Sequence, residues 1–158
     1  MTPIAVASEQ FTLDTNLLVY AVDTTAGERH HLSVQIVDSA ADVGCRLTLQ
    51  SLSEFYWAAT RKRLMPVAEA AAQVSDWLFI FPSAVVSASA IRSALADAVA
   101  GRASYWDALL VATAAEAGCS VILTEDLADG SMLGGVQIHN PFAAGGGLTG
   151  RARRLLDL

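Results

Sequence analysis

Four acidic residues occupy equivalent places along this chain of 158 residues. Asp14 closes a first predicted strand, Asp126 follows a later one, and Glu54 and Asp107 lie in the opening turns of two predicted helices. In an open parallel sheet, ligands bind beyond the carboxyl ends of the strands. We therefore expect the four carboxylates to converge at one edge of a sheet, where their oxygens would suit a hard cation such as Mg²⁺ or Mn²⁺.

Helix capping is an alternative role for the same acids. Ser51-x-x-Glu54 and Ser104-x-x-Asp107 both fit the reciprocal capping-box pattern, and the other two acids could each be turn residues. However, both helical acids share a stripe with apolar residues, such as Leu110 beside Asp107. A carboxylate that faces a packed surface is costly unless it is paired or bound to a metal. The repeated placement of four acids favours a joint metal site.

The elements that would position these acids alternate between strands and helices. Strands are predicted at residues 11–14, 46–49, 79–81, 121–123 and 136–138, and helices from residue 17 and at 28–43, 51–63, 66–78, 91–100 and 104–117. The strands are apolar throughout, which is typical of a parallel sheet that is covered on both faces. The fold class is therefore α/β, an α/β/α sandwich around a central parallel sheet of four to five strands.

The chain divides by composition into one domain and a tail. Residues 1–142 are long enough for a single core, whereas residues 143–158 begin with a Gly-rich stretch, contain three Arg and predict a flexible tail with a possible terminal helix. Hydrophobic residues make up 53% of the chain, above the roughly 45–50% of ordinary domains. This excess suggests that part of the surface covers a partner or a second copy of the chain.

No apolar stretch approaches the ~18 residues of a membrane span, so we expect no membrane insertion. Residues 1–10 show no secretion signal. Cys45 and Cys119 are too few and too far apart for a disulfide framework or a metal knuckle. We expect two buried thiols in a reducing cytoplasm.

The charge of the chain limits its binding to nucleic acids. A net charge of −6 argues against indiscriminate phosphate binding, although it permits an enzyme whose acids are gathered in a metal site. Arg61, which is seven residues past Glu54, would lie about 10 Å further along a helix. Candidates for phosphate binding are Arg61, Lys62, Arg63 and Arg102. A solvated helix face is the alternative interpretation of such a charged run.

Several other enzyme classes fit poorly. No glycine-rich turn follows the first strand, which excludes a dinucleotide fingerprint and a P-loop, and there is no Gly-x-Ser-x-Gly motif. A haloacid-dehalogenase type of phosphatase needs an acid where this chain has Asn16. A response-regulator receiver needs a lysine late in the sheet, and the chain's one lysine is Lys62. A non-catalytic module whose acids cap helices remains as the alternative to a metal site.

The motifs around these acids, taken in their order, resemble the PIN-domain nucleases and among them the VapC-type toxins of bacterial toxin–antitoxin pairs. The resemblance runs from about residue 11 to residue 142. It is carried by Leu13-Asp14-Thr15-Asn16, Leu52-Ser53-Glu54-Phe55, Tyr105-Trp106-Asp107-Ala108-Leu109-Leu110, Leu123-Thr124-Glu125-Asp126-Leu127 and the closing stretch at 134–142.

This resemblance implies a metal-dependent endoribonuclease that cleaves single-stranded or loop RNA. It also implies a homodimer and a small cognate antitoxin that covers the site. The family's four acidic positions would be taken by Asp14, Glu54, Asp107 and Asp126. Within that set we expect Asp14 and Asp107 to bind Mg²⁺ or Mn²⁺ directly, while Asn16 and Thr124 could orient the carboxylates or simply cap local turns.

Overall fold

The structure is a computed structural model that describes residue 1 and residues 8–158. The expectation about a secretion signal falls largely on residues 2–7, which lie outside the described residues.

The described helices are α1 (Thr15–Tyr20), α2 (Glu28–Ala40), α3 (Leu49–Arg61), α4 (Val67–Ile80), α5 (Ala88–Val99), α6 (Tyr105–Glu116) and α7 (Gly150–Leu156). The described strands are β1 (Phe11–Leu13), β2 (Leu47–Thr48), β3 (Ser83–Ala84), β4 (Val121–Leu123), β5 (Met132–Leu133) and β6 (Val136–His139). Among the described residues, no helix has the length and apolar character that crossing a membrane requires.

The strands form a sheet that is parallel except at one edge. β1, β4 and β6 are parallel neighbours, and β5 pairs antiparallel with β6. β2 and β3 form a second parallel pair. A parallel bridge between Phe11 and Cys45 joins the two groups, and there the Arg46 N–H donates to the carbonyl of Phe11 at 2.9 Å. The carboxyl ends of all the parallel strands therefore face one edge.

Helices cover both faces of this sheet. Along β4, Val121 and Leu123 belong to a core that includes residues of α1, α2, α3, α4 and α7. Ile122 points to the other face, where it packs with Leu110 and Val111 of α6. Alternate side chains of a strand face opposite sides, so a buried parallel strand needs apolar residues at every position. This confirms the predicted α/β/α sandwich.

One predicted strand differs from the structure, and one predicted helix is present but packs through its small residues. The strand predicted at 79–81 is wrong, because Phe79 and Ile80 complete α4 and the strand follows at Ser83–Ala84. A short apolar run cannot be assigned to a strand or a helix by periodicity alone. The helix predicted around Ile91 is confirmed as α5. Its large apolar side chains are nevertheless exposed, and its buried face is formed by the small residues Ala90 and Ala94.

The end of the chain is folded onto the domain, in contrast to the flexible tail that composition suggests. Helix α7 packs against α2, and its Leu156 is buried in the main core. The Arg151 guanidinium donates to Glu9 at 2.7 Å and to Gln137 at 3.1 Å. The apolar residues of the short helix are too few to show a clear period, so its docking could not be predicted from the pattern.

We expect Leu156→Ala to lower the free energy of unfolding by about 2–5 kcal/mol, because it leaves a cavity in the core. Leu158→Ala is the matched control, since Leu158 is 45% exposed whereas Leu156 is 2% exposed, and it should change stability by less than about 0.5 kcal/mol. Urea denaturation measures both values. Equal effects of the two substitutions would show that α7 does not contribute to the core.

Candidate active site

The structure brings the four predicted acids together at the carboxyl edge of the sheet. They line an open cleft of about 430 Å³, called here the acidic cleft, together with Thr15, Asn16, Tyr20 and Lys62 among others. The acids differ in exposure: Asp14 is buried, Glu54 and Asp107 are half-buried, and Asp126 is exposed. The cleft therefore runs from a desolvated carboxylate outwards to solvent.

Asp14 lies where β1 ends and α1 begins. Its Oδ1 accepts a hydrogen bond from the Thr15 N–H at 2.7 Å, and its Oδ2 accepts one from the Thr124 hydroxyl at 2.8 Å. Burial raises the pKa of Asp14, and the negative charges of Asp126 and Glu54 add to the increase, whereas the two hydrogen bonds oppose it. Asp14 thus caps α1, and its carboxylate also lines the cleft.

The Thr124 hydroxyl connects the groups that follow β1 and β4. It donates to Asp14 and accepts from the Asn16 side-chain amide and from the Asp126 N–H, both at 3.1 Å. A hydroxyl has one donor and two acceptor sites, and all three are used here. Thr124 therefore contacts a carboxylate directly, as expected, whereas Asn16 acts on Asp14 only through Thr124.

Glu54 is held at both carboxylate oxygens. Its Oε1 accepts from the Gln50 side-chain amide and its Oε2 from the Thr15 hydroxyl, each at 2.9 Å. Neither Gln50 nor Thr15 is among the site residues predicted from the sequence. The i, i+4 spacing of Gln50 and Glu54 was a signal that could have found Gln50, whereas the contact with Thr15 spans 39 positions and follows only from the fold.

The two predicted capping boxes have different outcomes. The first is wrong, because Thr48 caps α3 and Ser51 lies inside that helix. The second is present in part: Ser104 caps α6, and its hydroxyl donates to Asp107 Oδ2 at 2.7 Å. For Asp107, capping and a place in the cleft are therefore compatible.

Of the four predicted phosphate-binding residues, Lys62 lines the acidic cleft. The Arg61 guanidinium lies over the Trp57 ring, 5.7 Å from its centroid. Arg102 pairs with Asp97, with 2.7 Å between Nε and Oδ1, and Arg63, two residues after the end of α3, has a left-handed conformation with φ 53°. The structure thus places one of these cations in the cleft and directs Arg102 to another partner.

The donor set of the cleft fits a hard divalent cation. Carboxylate oxygens are the ligands that Mg²⁺ and Mn²⁺ prefer, and a buried carboxylate whose neighbours are also acidic is stabilised by a cation. As the side chains lie, no group of three His, Cys, Asp or Glu within residues 8–158 is already arranged around one ion. The carboxylates would have to close around an ion as it binds.

The raised pKa of Asp14 predicts a pH dependence of stability without metal. The folded state holds this proton more tightly than the unfolded chain, so the free energy of unfolding falls as the pH rises from the usual aspartate range through the raised pKa. Asp14→Asn cannot titrate and keeps a capping oxygen. In EDTA we therefore expect the wild type to lose stability relative to Asp14→Asn as the pH rises above the usual aspartate range.

Urea denaturation at several pH values measures this difference. The exposed Asp76→Asn on α4 is the control, and it should follow the wild type at each pH. A constant difference between wild type and Asp14→Asn across the range would contradict the raised pKa.

Comparisons with known proteins identify the family of this chain. A family model described as PIN domain matches residues 11–128. No curated protein matches the chain. Among solved structures, VapC20 of Mycobacterium tuberculosis, described as a sarcin-ricin loop cleaving toxin, is 17% identical, with a TM-score of 0.61 over 74% of this chain and 90% of that one.

Two toxin–antitoxin complexes are also similar in fold. VapBC2 of Rickettsia felis, bound to a DNA fragment from its promoter, is 12% identical with a TM-score of 0.59, covering 82% of this chain and 97% of that one. DNA-bound VapBC of Salmonella typhimurium is 15% identical with a TM-score of 0.57, covering 83% and 97%. These identities show likeness of fold. The family-model match to residues 11–128, which is more than half of the chain, shows that the chain belongs to the PIN domain family.

Proposed function

We propose that this chain is a divalent-metal-dependent endoribonuclease that cleaves RNA phosphodiesters, and that it is the toxin of a toxin–antitoxin pair. The observation that carries the proposal is the convergence of four carboxylates on one cleft in a chain of the PIN domain family. The VapC-like fold supports the toxin role, since one protein of that fold is described as a sarcin-ricin loop cleaving toxin and two are VapBC structures.

In this proposal Asp14 and Asp107 hold Mg²⁺ or Mn²⁺ directly, while Glu54 and Asp126 complete the site through water or a second ion. A bound divalent ion lowers the pKa of a water molecule and neutralises charge on the scissile phosphate. The chain's own residues orient the ligands. Thr124 holds one oxygen of Asp14, and Thr15 and Gln50 hold the two oxygens of Glu54.

Lys62 has a separate role in the proposal. Lys62 lines the acidic cleft together with the four acids, and its ammonium group can bind a phosphate oxygen of the RNA as a point charge. Arg61 and Arg63 are exposed next to it and can contact phosphates further along the strand. This arrangement allows a chain of net charge −6 to bind RNA locally.

The cleavage assay uses Mn²⁺ and a panel of structured and single-stranded RNAs. We expect cleavage by the wild type, none in EDTA, and a loss of at least about 100-fold in Asp107→Asn, because substituting even the residues that orient metal ligands costs ~10–100-fold. The amide oxygen that this substitution introduces can still accept the Ser104 hydrogen bond, so the melting temperature without metal should stay close to that of the wild type. Asp76→Asn, an exposed acid on α4, is the matched control and should remain active.

The alternative, a non-catalytic module whose acids cap helices, is favoured by the bonds of Asp14 to Thr15 and of Asp107 to Ser104. That module predicts no metal dependence. No cleavage of any RNA in the panel with Mn²⁺, together with a melting temperature that Mn²⁺ does not change, would support it against the nuclease.

We also propose that the chain forms a homodimer and binds a cognate antitoxin in the cytoplasm. Helix α5 exposes a stripe of Ile91, Leu95 and Val99, and Val99 is 90% exposed. Exposed apolar patches mark protein interaction sites. The two cysteines are free and buried, as expected of a protein in a reducing compartment.

The dimer is tested by light scattering after size exclusion. We expect a dimeric wild type and a monomeric Leu95→Asp variant, because a charge in an apolar interface is strongly unfavourable. Ser93→Asp, which adds the same charge on another side of α5, should remain dimeric. A wild type that is monomeric at every concentration would exclude the dimer.

A further inference from the structure

Beside the acidic cleft lies a larger groove that the proposed chemistry does not use. Its volume is about 780 Å³, and it is called here the tryptophan groove; its lining includes Trp57, Trp106, Val86, Leu109, Gln50 and Glu54. It is mainly apolar, unlike the acidic cleft. Its position between α3 and α6 places it next to two of the four acids.

Two large aromatic side chains in this groove are exposed. Trp57 and Trp106 are each 63% exposed, whereas the third tryptophan, Trp77, is 5% exposed in the core. Trp57 follows Glu54 by three positions on α3, and Trp106 directly precedes Asp107 on α6. Each indole thus extends from the same helical turn that carries a cleft carboxylate.

A hydrogen bond joins the two helices that carry these tryptophans. The Gln50 amide of α3 donates to the backbone carbonyl of Trp106 at 3.1 Å and also to Glu54 at 2.9 Å. These two bonds set the orientation of the amide. Its Oε1 is buried and has no hydrogen-bond partner among the described residues.

The groove adjoins the acidic cleft at Glu54, which lines both. Each of the two sites also has a positively charged residue. The Arg61 guanidinium lies over the Trp57 ring of the groove, and Lys62 lines the cleft. A ligand that spans the two sites would need an anionic part for the cleft and a flat, partly polar part for the groove. A nucleotide has both.

We propose that the tryptophan groove binds a nucleobase of single-stranded RNA beside the phosphate that enters the acidic cleft. Trp57 and Trp106 provide the stacking faces. Stacking is tolerant of sequence because every base has a π-face. The proposal rests on the proposed RNA substrate and adds the determinants of its position.

The experiment measures RNA binding in EDTA, where cleavage is absent. The probes are decamers of riboadenylate and ribouridylate and an abasic decamer of equal charge. Binding is measured by tryptophan fluorescence and by the anisotropy of a labelled strand. We expect both base-containing decamers to quench the wild-type fluorescence. Trp57→Ala or Trp106→Ala should weaken their binding about 5- to 100-fold and leave binding of the abasic decamer unchanged.

Control variants distinguish a loss of base stacking from a loss of folding and from a general loss of exposed apolar surface. Trp57→Phe should restore most of the affinity, since phenylalanine also stacks. Phe79→Ala removes an aromatic side chain that is 92% exposed on α4, outside the groove, and should bind as the wild type does. With Mn²⁺ and a cleaved RNA, the tryptophan variants should raise KM more than they lower kcat.

Three results would overturn the proposal. In the first, the alanine variants bind the decamers as tightly as the wild type does. In the second, the wild type binds no decamer. In the third, the alanine variants change the oligomeric state without changing the RNA affinity. The last result would identify the groove as a protein interface. Tryptophan-dependent binding without cleavage by the wild type in any metal would support the base site while the proposed nuclease fails.

Discussion

The burial of the Asp14 carboxylate is the constraint on which the rest of the site depends. Only 8% of this residue is exposed, and an ionised carboxylate out of water is costly unless hydrogen bonds and opposite charge compensate it. The Thr15 N–H and the Thr124 hydroxyl supply part of this compensation. The neighbouring Glu54 and Asp126 make the cost larger, and a divalent cation is the group that would stabilise all of them together.

The sheet order creates this crowding. Leu13 of β1 is in register with Leu123 of β4, so the residues that follow, Asp14 and Thr124, emerge side by side. The hydrogen bond from Gln50 to the carbonyl of Trp106 then brings α3 and α6 together over the same edge. The contact that holds Glu54 in the acidic cleft therefore also shapes the tryptophan groove.

The sequence predicted the four acids because each follows a strand or begins a helix, a relation that depends only on local pattern and on parallel topology. It could not predict Thr15 as a donor to Glu54, because that contact joins residues far apart in the chain. Composition suggested a loose tail, whereas the docking of Leu156 depends on a surface formed by distant elements. The exposure of Trp57, which shares a helical stripe with Glu54, likewise depends on how the helices pack.

The most direct test of the account is thermal unfolding with and without Mn²⁺ for the wild type, Asp14→Asn and Asp107→Asn. An ion at about 100 times its Kd should stabilise the wild type by ~2.7 kcal/mol. The account predicts that the melting temperature rises in the wild type and stays nearly constant in both variants, because one ion contacts both carboxylates. No rise in the wild type up to millimolar Mn²⁺, or an equal rise in all three proteins, would contradict the shared metal site.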